Sequence, residues 1–478
     1  MSRSLINQTP KIINVGLADF ARELAANGAS VMHVDWNPPA GGDSRLTHLL
    51  QQLESLHGDK IVAANREAVR VMSAAEPVLV DVAPAAEVIP GLGEHVILHA
   101  GPPIEWARMC GPMRGAVCGV MVLEGWARDL VQAEQIVDAG EITFHPNHHF
   151  DAVGPMTGLT TMSQPVLVVE NRTFGNRAFC TLNEGLGKVM RFGGNDDDVI
   201  QRLRWLRTTL APLLSAALQE SSGINLKNII ARGLSMGDEM HQRNVACTSL
   251  FIRELAPHLA RAVDDPQAIA EALAFMGGND QFFLNIAMVM GKSIMDPVQG
   301  IEYSTVVTAM SRNGTEFGIR MSATGERWFI APVEMPQGLY FPGFTESDSN
   351  PDMGDSTIVE TIGLGGFAMA ASPAVAGFVG AGSAAEALDY TRNMYAITVD
   401  KSSAWTIPSL DFAGVPTAID VMKVVETRTA PTINTGIAHR EPGVGQVGAG
   451  VVRAPIDCFN QALAAFAQAN QCGAGAHS

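Results

Sequence analysis

The sequence predicts a multidomain protein of mixed α/β and α+β class, and three observations predict it. A chain of 478 residues exceeds what one hydrophobic core usually holds, so it divides into several domains. Short β-branched runs alternate with helical periodicity towards both ends, while the middle is helical almost throughout. The 47 glycines and 26 prolines punctuate the pattern into short elements. The divisions that follow are a Rossmann-like α/β domain over 1–140, a small α+β segment over 141–194, an inserted helical domain over 195–299 and an α+β domain with glycine-rich turns over 300–478.

The chain opens as βαβ, with strands over 11–16 and 29–35 and a helix over 18–26 stopped at Gly28. Asp35 stands where a dinucleotide-binding protein places its ribose acid. Gly16 is followed by Leu17, Ala18 and Asp19 rather than a glycine fingerprint, so this layer reads as structural. Helices over 44–56 and 60–75 lead to strands over 78–82 and 96–100. Gly101-Pro102-Pro103 then breaks regular structure, and Gly111-Pro112 splits the helical stretch 104–140.

The densest histidine cluster follows, His145, His148 and His149 with Asp151. A His beside an Asp suits general acid–base work, and histidines at this spacing suit zinc. No further ligands stand at fixed spacing, so neither a metal nor another cofactor is expected; a polar loop surface is the bland alternative. Asn195 and the acids 196–198 cap the helical region. Within it, Asp238, His241 and Asn244 fall on one helix face and could line a cleft. Glu239 and Arg243 are spaced as an i,i+4 ion pair.

Strands return over 303–310, 316–321 and 328–332, with a turn at Arg312-Asn313-Gly314. The run 356–362 reads as a strand, 363–366 as a glycine corner and 368–380 as a buried helix. Free N–H groups at that helix start, with Arg312 and Arg320 on preceding strands, make Gly363, Gly365 and Gly366 a candidate anion cradle. Asp355 and Glu360 nearby would repel an anion unless a cation stands between. Residues 361–385 carry no charge over a membrane-spanning length, but Pro373 and the lack of aromatic and basic flanks favour a buried segment. Gly443, Gly445 and Gly448 match G-x-G-x-x-G, yet Arg440-Glu441-Pro442 precedes them where a strand is required, so a loop is expected, with His439 and Arg440 aimed at an anion. A closing helix is expected over 457–467.

Composition excludes whole classes of partner. A net charge of −17 repels nucleic acid and anionic lipid. Residues 1–10 lack a signal-peptide pattern, and the six cysteines form no C-x-x-C pair, which together point to a reducing cytoplasm. Charged residues are only 17% of the chain, so much surface should be covered by other domains, other subunits or further copies of the chain.

Several segments taken together resemble one family. They are Gly101-Pro102-Pro103, Met236-Gly237-Asp238-Glu239 with Arg243 and Asn244, Gly300-Ile301-Glu302-Tyr303, Arg312-Asn313-Gly314, Gly354-Asp355-Ser356, Gly365-Gly366-Phe367-Ala368-Met369, Gly414-Val415-Pro416 and Val447-Gly448-Ala449-Gly450. They resemble the AllG/YlbE-like family over nearly the whole chain. The resemblance implies a subunit of an oxamate carbamoyltransferase in ureide catabolism, in which oxalurate and phosphate exchange with oxamate and carbamoyl phosphate. It implies partners as well, an AllF/FdrA-type subunit and an AllH-type subunit. The Ser-x-Arg-Thr signature of the common transcarbamylases is absent, Thr427-Arg428-Thr429 being a fragment of it.

Such chemistry needs oriented N–H donors and arginines for a small anionic substrate, and a group that moves a proton on or off nitrogen. The candidates are Arg312 or Arg320 with the glycine corner for the anion, His148 or His439 as acid/base, Asp151 as orienting partner and Arg440 as carboxylate clamp. A non-catalytic scaffold, or a transferase or ligase for another ureide or acyl substrate, are the competing expectations.

Overall fold

A computed structural model describes residues 11–34, 36–378 and 383–471. Asp35, Cys472 and part of the uncharged 361–385 segment lie outside the described residues. The fold is mixed, with helices and several small sheets. The N-terminal βαβ forms: Lys11–Val15 and Ser30–Val34 pair in parallel around the helix Ala18–Ala26. Its sheet ends there, because the next strand, Pro77–Pro84, pairs antiparallel with Pro165–Asn171 in another sheet.

Residues 44–56 and 60–75 form one helix, Ser44–Ala74, rather than two. Gly58 costs such a helix about 1 kcal/mol, but Leu46, Leu50, Leu53, Ile61, Ala68 and Val71 bury one continuous face along it. Asp43 caps its start by accepting from the Leu46 N–H at 2.9 Å. Pro112 likewise opens the helix Gly111–Glu124 where it was expected to split one.

The largest sheet runs Ala152–Val153, Arg177–Thr181, Pro165–Asn171, Pro77–Pro84 and Ile224–Asn225. Helices of the 195–299 region pack on it in a single apolar cluster. Innermost is Phe282–Met295, in which every residue is buried. It is apolar all round, as a fully buried helix must be, with Lys292 a charged exception. A second cluster joins the sheet Phe329–Pro332, Glu316–Met321, Val307–Asn313 and Met353–Gly354 to Ser44–Ala74 and the closing helix Ile456–Ala469. A third sheet orders Gln337–Tyr340, Gln446–Arg453 and Thr432–Ala438.

Two further local expectations fail. Residues 356–362 are no strand: a two-residue strand, Met353–Gly354, gives way to the helical turn Ile358–Thr361 and then the 3-10 segment Gly365–Ala371. Tertiary bonds override β-propensity here. The Asp355 N–H binds Gly154 O at 3.0 Å, and the Thr357 hydroxyl donates to Met310 O. Residues 236–244 are no helix either, but a loop between Leu226–Ser235 and Val245–Ala262 with Met240 at φ +68°. Among the described residues, no helix is long and apolar enough to cross a membrane.

Candidate functional site

Arg312 is fully buried and fully engaged. Its Nε and Nη2 hold both oxygens of Asp352 at 2.6 and 3.3 Å, while Nη1 donates to Gly354 O at 2.6 Å and Ser356 Oγ at 3.1 Å. Thr435 Oγ1 closes the group on Asp352 at 2.6 Å. This is a bidentate side-on pair within the chain, so the Arg312 guanidinium already holds a carboxylate.

The glycine corner also holds an anion, and it is the chain's own. Glu360 Oε1 accepts from the Gly366 N–H at 3.0 Å, the Asn434 N–H at 3.2 Å and His241 Nδ1 at 2.7 Å. The Gly365 N–H goes to Glu239 O at 2.6 Å. A Cβ on Gly366 would stand 2.2 Å from Thr432 O, and one on Gly363 2.3 Å from Pro416 O. Close backbone approach explains these glycines. The helix that follows, Pro373–Phe378, is too short to lend a dipole.

Two predicted residues do come together. His148, on the 3-10 turn Asn147–Phe150, and Arg320, on the strand Glu316–Met321, are both buried. Arg320 reaches the His148 carbonyl only weakly, at 3.5 Å, through Nη1; among the described residues its Nε and Nη2 have no hydrogen-bond partner. These two nitrogens form one edge of the guanidinium, the same edge by which Arg312 grips Asp352. The Trp328 ring lies 4.7 Å from the Arg320 guanidinium and edge-on to His148 at 5.6 Å. Its Nε1–H donates to His149 Nε2 at 3.1 Å.

Lys292 and Asp296 act on this group by charge; they are bonded to each other at 2.5 Å, and among the described residues Asp296 Oδ2 has no partner. Burial pushes the Asp296 carboxyl up despite Lys292. Asp355 stands next to His148. Its oxygens accept from the Gly101 N–H at 3.1 Å, the Gly154 N–H and Asn147 Nδ2 at 2.9 Å each, and the Ser311 hydroxyl. Burial raises the Asp355 pKa and these donors oppose it. Asp355 Oδ1 stands 3.7 Å from His148 Nε2, which has no hydrogen-bond partner among the described residues. Burial first, then Lys292 and Arg320, hold His148 well below the usual histidine range, so its ring is neutral. Burial and Arg320 bring His149 down to about 4.

Asp151 is exposed with φ +52° and acts on Arg320 and Asp296 through charge alone; the carboxylate facing His148 is Asp355. His439 and Arg440 lie on a different turn. The His439 Nδ1 accepts from the Glu441 N–H at 2.9 Å, and the Arg440 N–H binds Asp348 O at 2.8 Å. Among the described residues, no hydrogen bond, ion pair or ring contact joins either to His148 or Arg320. Sequence reasoning missed Lys292 and Trp328. A lone lysine within fourteen residues of otherwise uncharged helix was the available signal for the first; for Trp328 there was none.

The arrangement places two buried cations, Lys292 and Arg320, near a neutral imidazole, with the Trp328 indole against Arg320 and His148. Besides Asp296 Oδ2, Asn147 Oδ1 and His148 Nε2, the atoms left unmet among the described residues are the two Arg320 N–H donors, which in a buried setting call for an acceptor worth roughly 1–3 kcal/mol per group. A small carboxylate or phosphate suits them. Among the described residues, no group of three His, Cys, Asp or Glu is arranged to hold a metal ion.

The family model described as Oxamate carbamoyltransferase subunit AllG matches residues 142–356, the stretch containing His148, Lys292, Arg320 and Asp355. The protein named Oxamate carbamoyltransferase subunit AllG from Escherichia coli (strain K12) is 51% identical over 415 residues, 86% of this chain and 99% of that protein. A second Escherichia coli (strain K12) relative, named Uncharacterized protein YahG, is 44% identical over 464 residues, 97% of this chain and 98% of its own length. A crystal structure of a conserved protein of unknown function from Enterococcus faecalis V583 matches with a TM-score of 0.84 at 46% identity, covering 86% of this chain and 98% of that one.

Proposed function

The chain belongs to the AllG family of oxamate carbamoyltransferase subunits, and from that premise we propose that it supplies the anion-holding and proton-transferring side of a carbamoyl transfer. The reaction proposed is oxalurate plus phosphate to oxamate plus carbamoyl phosphate and its reverse, carried out with an AllF/FdrA-type and an AllH-type subunit in the cytoplasm. One observation carries the reading: the Nε and Nη2 edge of Arg320 is buried and unmatched. A scaffold has no use for such an edge, whereas oxamate and oxalurate both end in a carboxylate that fits it.

In this reading Arg320 clamps the carboxylate and Lys292 adds a second positive charge. When oxamate is carbamoylated, its nitrogen attacks the carbamoyl carbon, the bond to phosphate oxygen breaks, and the nitrogen sheds a proton. Neutral His148 takes that proton on Nε2, and Asp355 steadies the imidazolium that results. Trp328 keeps water from the carbamoyl group.

Calorimetric titration of the purified chain with oxamate, and assay of the complex for carbamoyl phosphate formation, test the proposal. Arg320→Met should abolish oxamate binding and lower turnover by about 100-fold or more, the loss expected of a charge-assisted clamp. Full activity of the Arg320→Met complex, with no oxamate bound by the wild-type chain, would leave the scaffold reading in its place.

A further inference from the structure

The unmatched edge of Arg320 is a pair of donors; in a second buried cluster the unmatched atoms are oxygens. It is built by the 236–244 loop, the Ile358–Thr361 turn and the strand Thr432–Ala438. Glu239 and Glu360 are both fully buried in it. Glu239 meets four N–H groups, those of His241 at 3.1 Å, Arg243 at 2.7 Å, Gln242, and Asn434 Nδ2 at 3.1 Å. Glu360 Oε1 is likewise met by three donors, but among the described residues Glu360 Oε2, Asn434 Oδ1 and Asn244 Oδ1 have no hydrogen-bond partner.

The two amides cannot be turned round to remove the imbalance. Asn434 Nδ2 donates to a carboxylate and Asn244 Nδ2 to His241 O at 3.3 Å, so a flip would set oxygen against oxygen. The Arg243 guanidinium is turned away to Asp238 at 2.9 Å, with no part in the cluster. Asn434 sits between the two carboxylates, its backbone on Glu360 and its side chain on Glu239. The cluster's own imidazole, His241, stands on Glu360 Oε1 at 2.7 Å; among the described residues no donor reaches the bare oxygens.

We propose that the Glu239, Glu360, Asn434 and Asn244 cluster binds one monovalent cation of potassium or ammonium type. Four N–H groups already answer the charge of Glu239, which leaves Glu360 Oε2 as the bare charged oxygen. The remaining ligands are neutral amide oxygens, a hard, all-oxygen set. All of them are buried, so the ion must shed its water, which magnesium does reluctantly. A bound cation ties the loop, the turn and the strand together. Through Thr435, beside Asn434, it also braces the Arg312 and Asp352 pair.

The test begins with the full chain exchanged into tetramethylammonium buffer and titrated with potassium, ammonium or more tetramethylammonium chloride. Potassium, ammonium or both should raise Tm saturably by roughly 1–3 °C, and equilibrium dialysis with rubidium should find one ion per chain. Glu360→Gln should weaken that response at least tenfold. Should this variant not fold, Asn244→Ser reports on the same site from a loop position. Three results would overturn the proposal: an equal response to tetramethylammonium, an unchanged response in both variants, or no rubidium bound. In the last case a fall in Tm as pH rises through about 7, where burial and Glu360 place the Glu239 carboxyl, identifies a proton as the occupant.

Discussion

Arg312 and Arg320 sit on paired antiparallel strands, and the two behave in opposite ways. Arg312→Ala strips Asp352 of its bidentate partner inside the core and should destabilise by about 3–5 kcal/mol. Arg320→Met removes a charge whose inner edge is unmatched and should change stability by less than about 1 kcal/mol in either direction. Urea unfolding of the two variants checks the contrast; equal losses would mean that both arginines are structural. Both were legible as arginines within strand patterns. Only the long-range partner Asp352 distinguishes the arginine already spoken for from the one left open. His99 gives a residue-scale pH effect. It is fully buried, with Nδ1–H on Ala100 O at 2.8 Å, and burial brings it down to about 4. Between the ordinary histidine range and pH 4 the unfolded chain carries a proton that the folded one refuses. The neutral ring therefore contributes stability that is present above pH 6.5 and lost on acidification, on the order of 3 kcal/mol in full. His99→Gln should flatten the stability profile between pH 6.5 and 4 relative to wild type, and identical profiles would remove His99 from that acid sensitivity.

At the level of elements, periodicity showed which stretches are helical or extended, and packing decided what they do. The strand, glycine corner and helix expected over 356–380 illustrate the limit. Glycines and apolar spacing are local features, whereas the occupant of the corner, Glu360, is delivered by a turn that exists because Asp355 and Thr357 bond to Gly154 and Met310. Glycines separate the two situations experimentally. Gly58 lies mid-helix with only Glu54 Cγ near an added Cβ, at 3.8 Å, so Gly58→Ala should stabilise by about 0.5–1 kcal/mol. Gly366→Ala drives a methyl onto Thr432 O at 2.2 Å, a backbone atom that cannot step aside, and should destabilise by more than about 3 kcal/mol. Chemical denaturation of both variants decides; a tolerated Gly366→Ala would mean that the close approach to the Thr432–Ala438 strand is not fixed.

For the whole molecule, a mixed α and β class was readable because it depends on period and punctuation, while the way the pieces share a core was not. One apolar cluster runs from Ala68 to Ala418 and crosses the sequence-based divisions at 140, 194 and 299. Ile224–Asn225 stitches the helical stretch onto Pro77–Pro84. Neither follows from composition, since both depend on contacts between residues far apart in the chain. The N-terminal βαβ is the exception to this sharing. From Lys11 to Val34 only Ala21 is buried, and Ile13, Met32 and Trp36 are 68%, 66% and 61% exposed. A parallel pair normally has both faces covered, and here one face, Ile13 and Val15 in register with Met32 and Val34, is open. Among the described residues, no hydrogen bond or ion pair joins Lys11–Val34 to anything beyond Trp36. The unit therefore adds little to the stability of the rest. Removal of residues 1–36 should shift Tm by less than about 2 °C, and amides of 11–34 should exchange fastest in the intact chain. Calorimetry of the shortened chain, with hydrogen exchange on the full one, measures both. A large drop in Tm, or protection of 11–34 matching that of Phe282–Met295, would mean that the βαβ unit is folded into the common core after all.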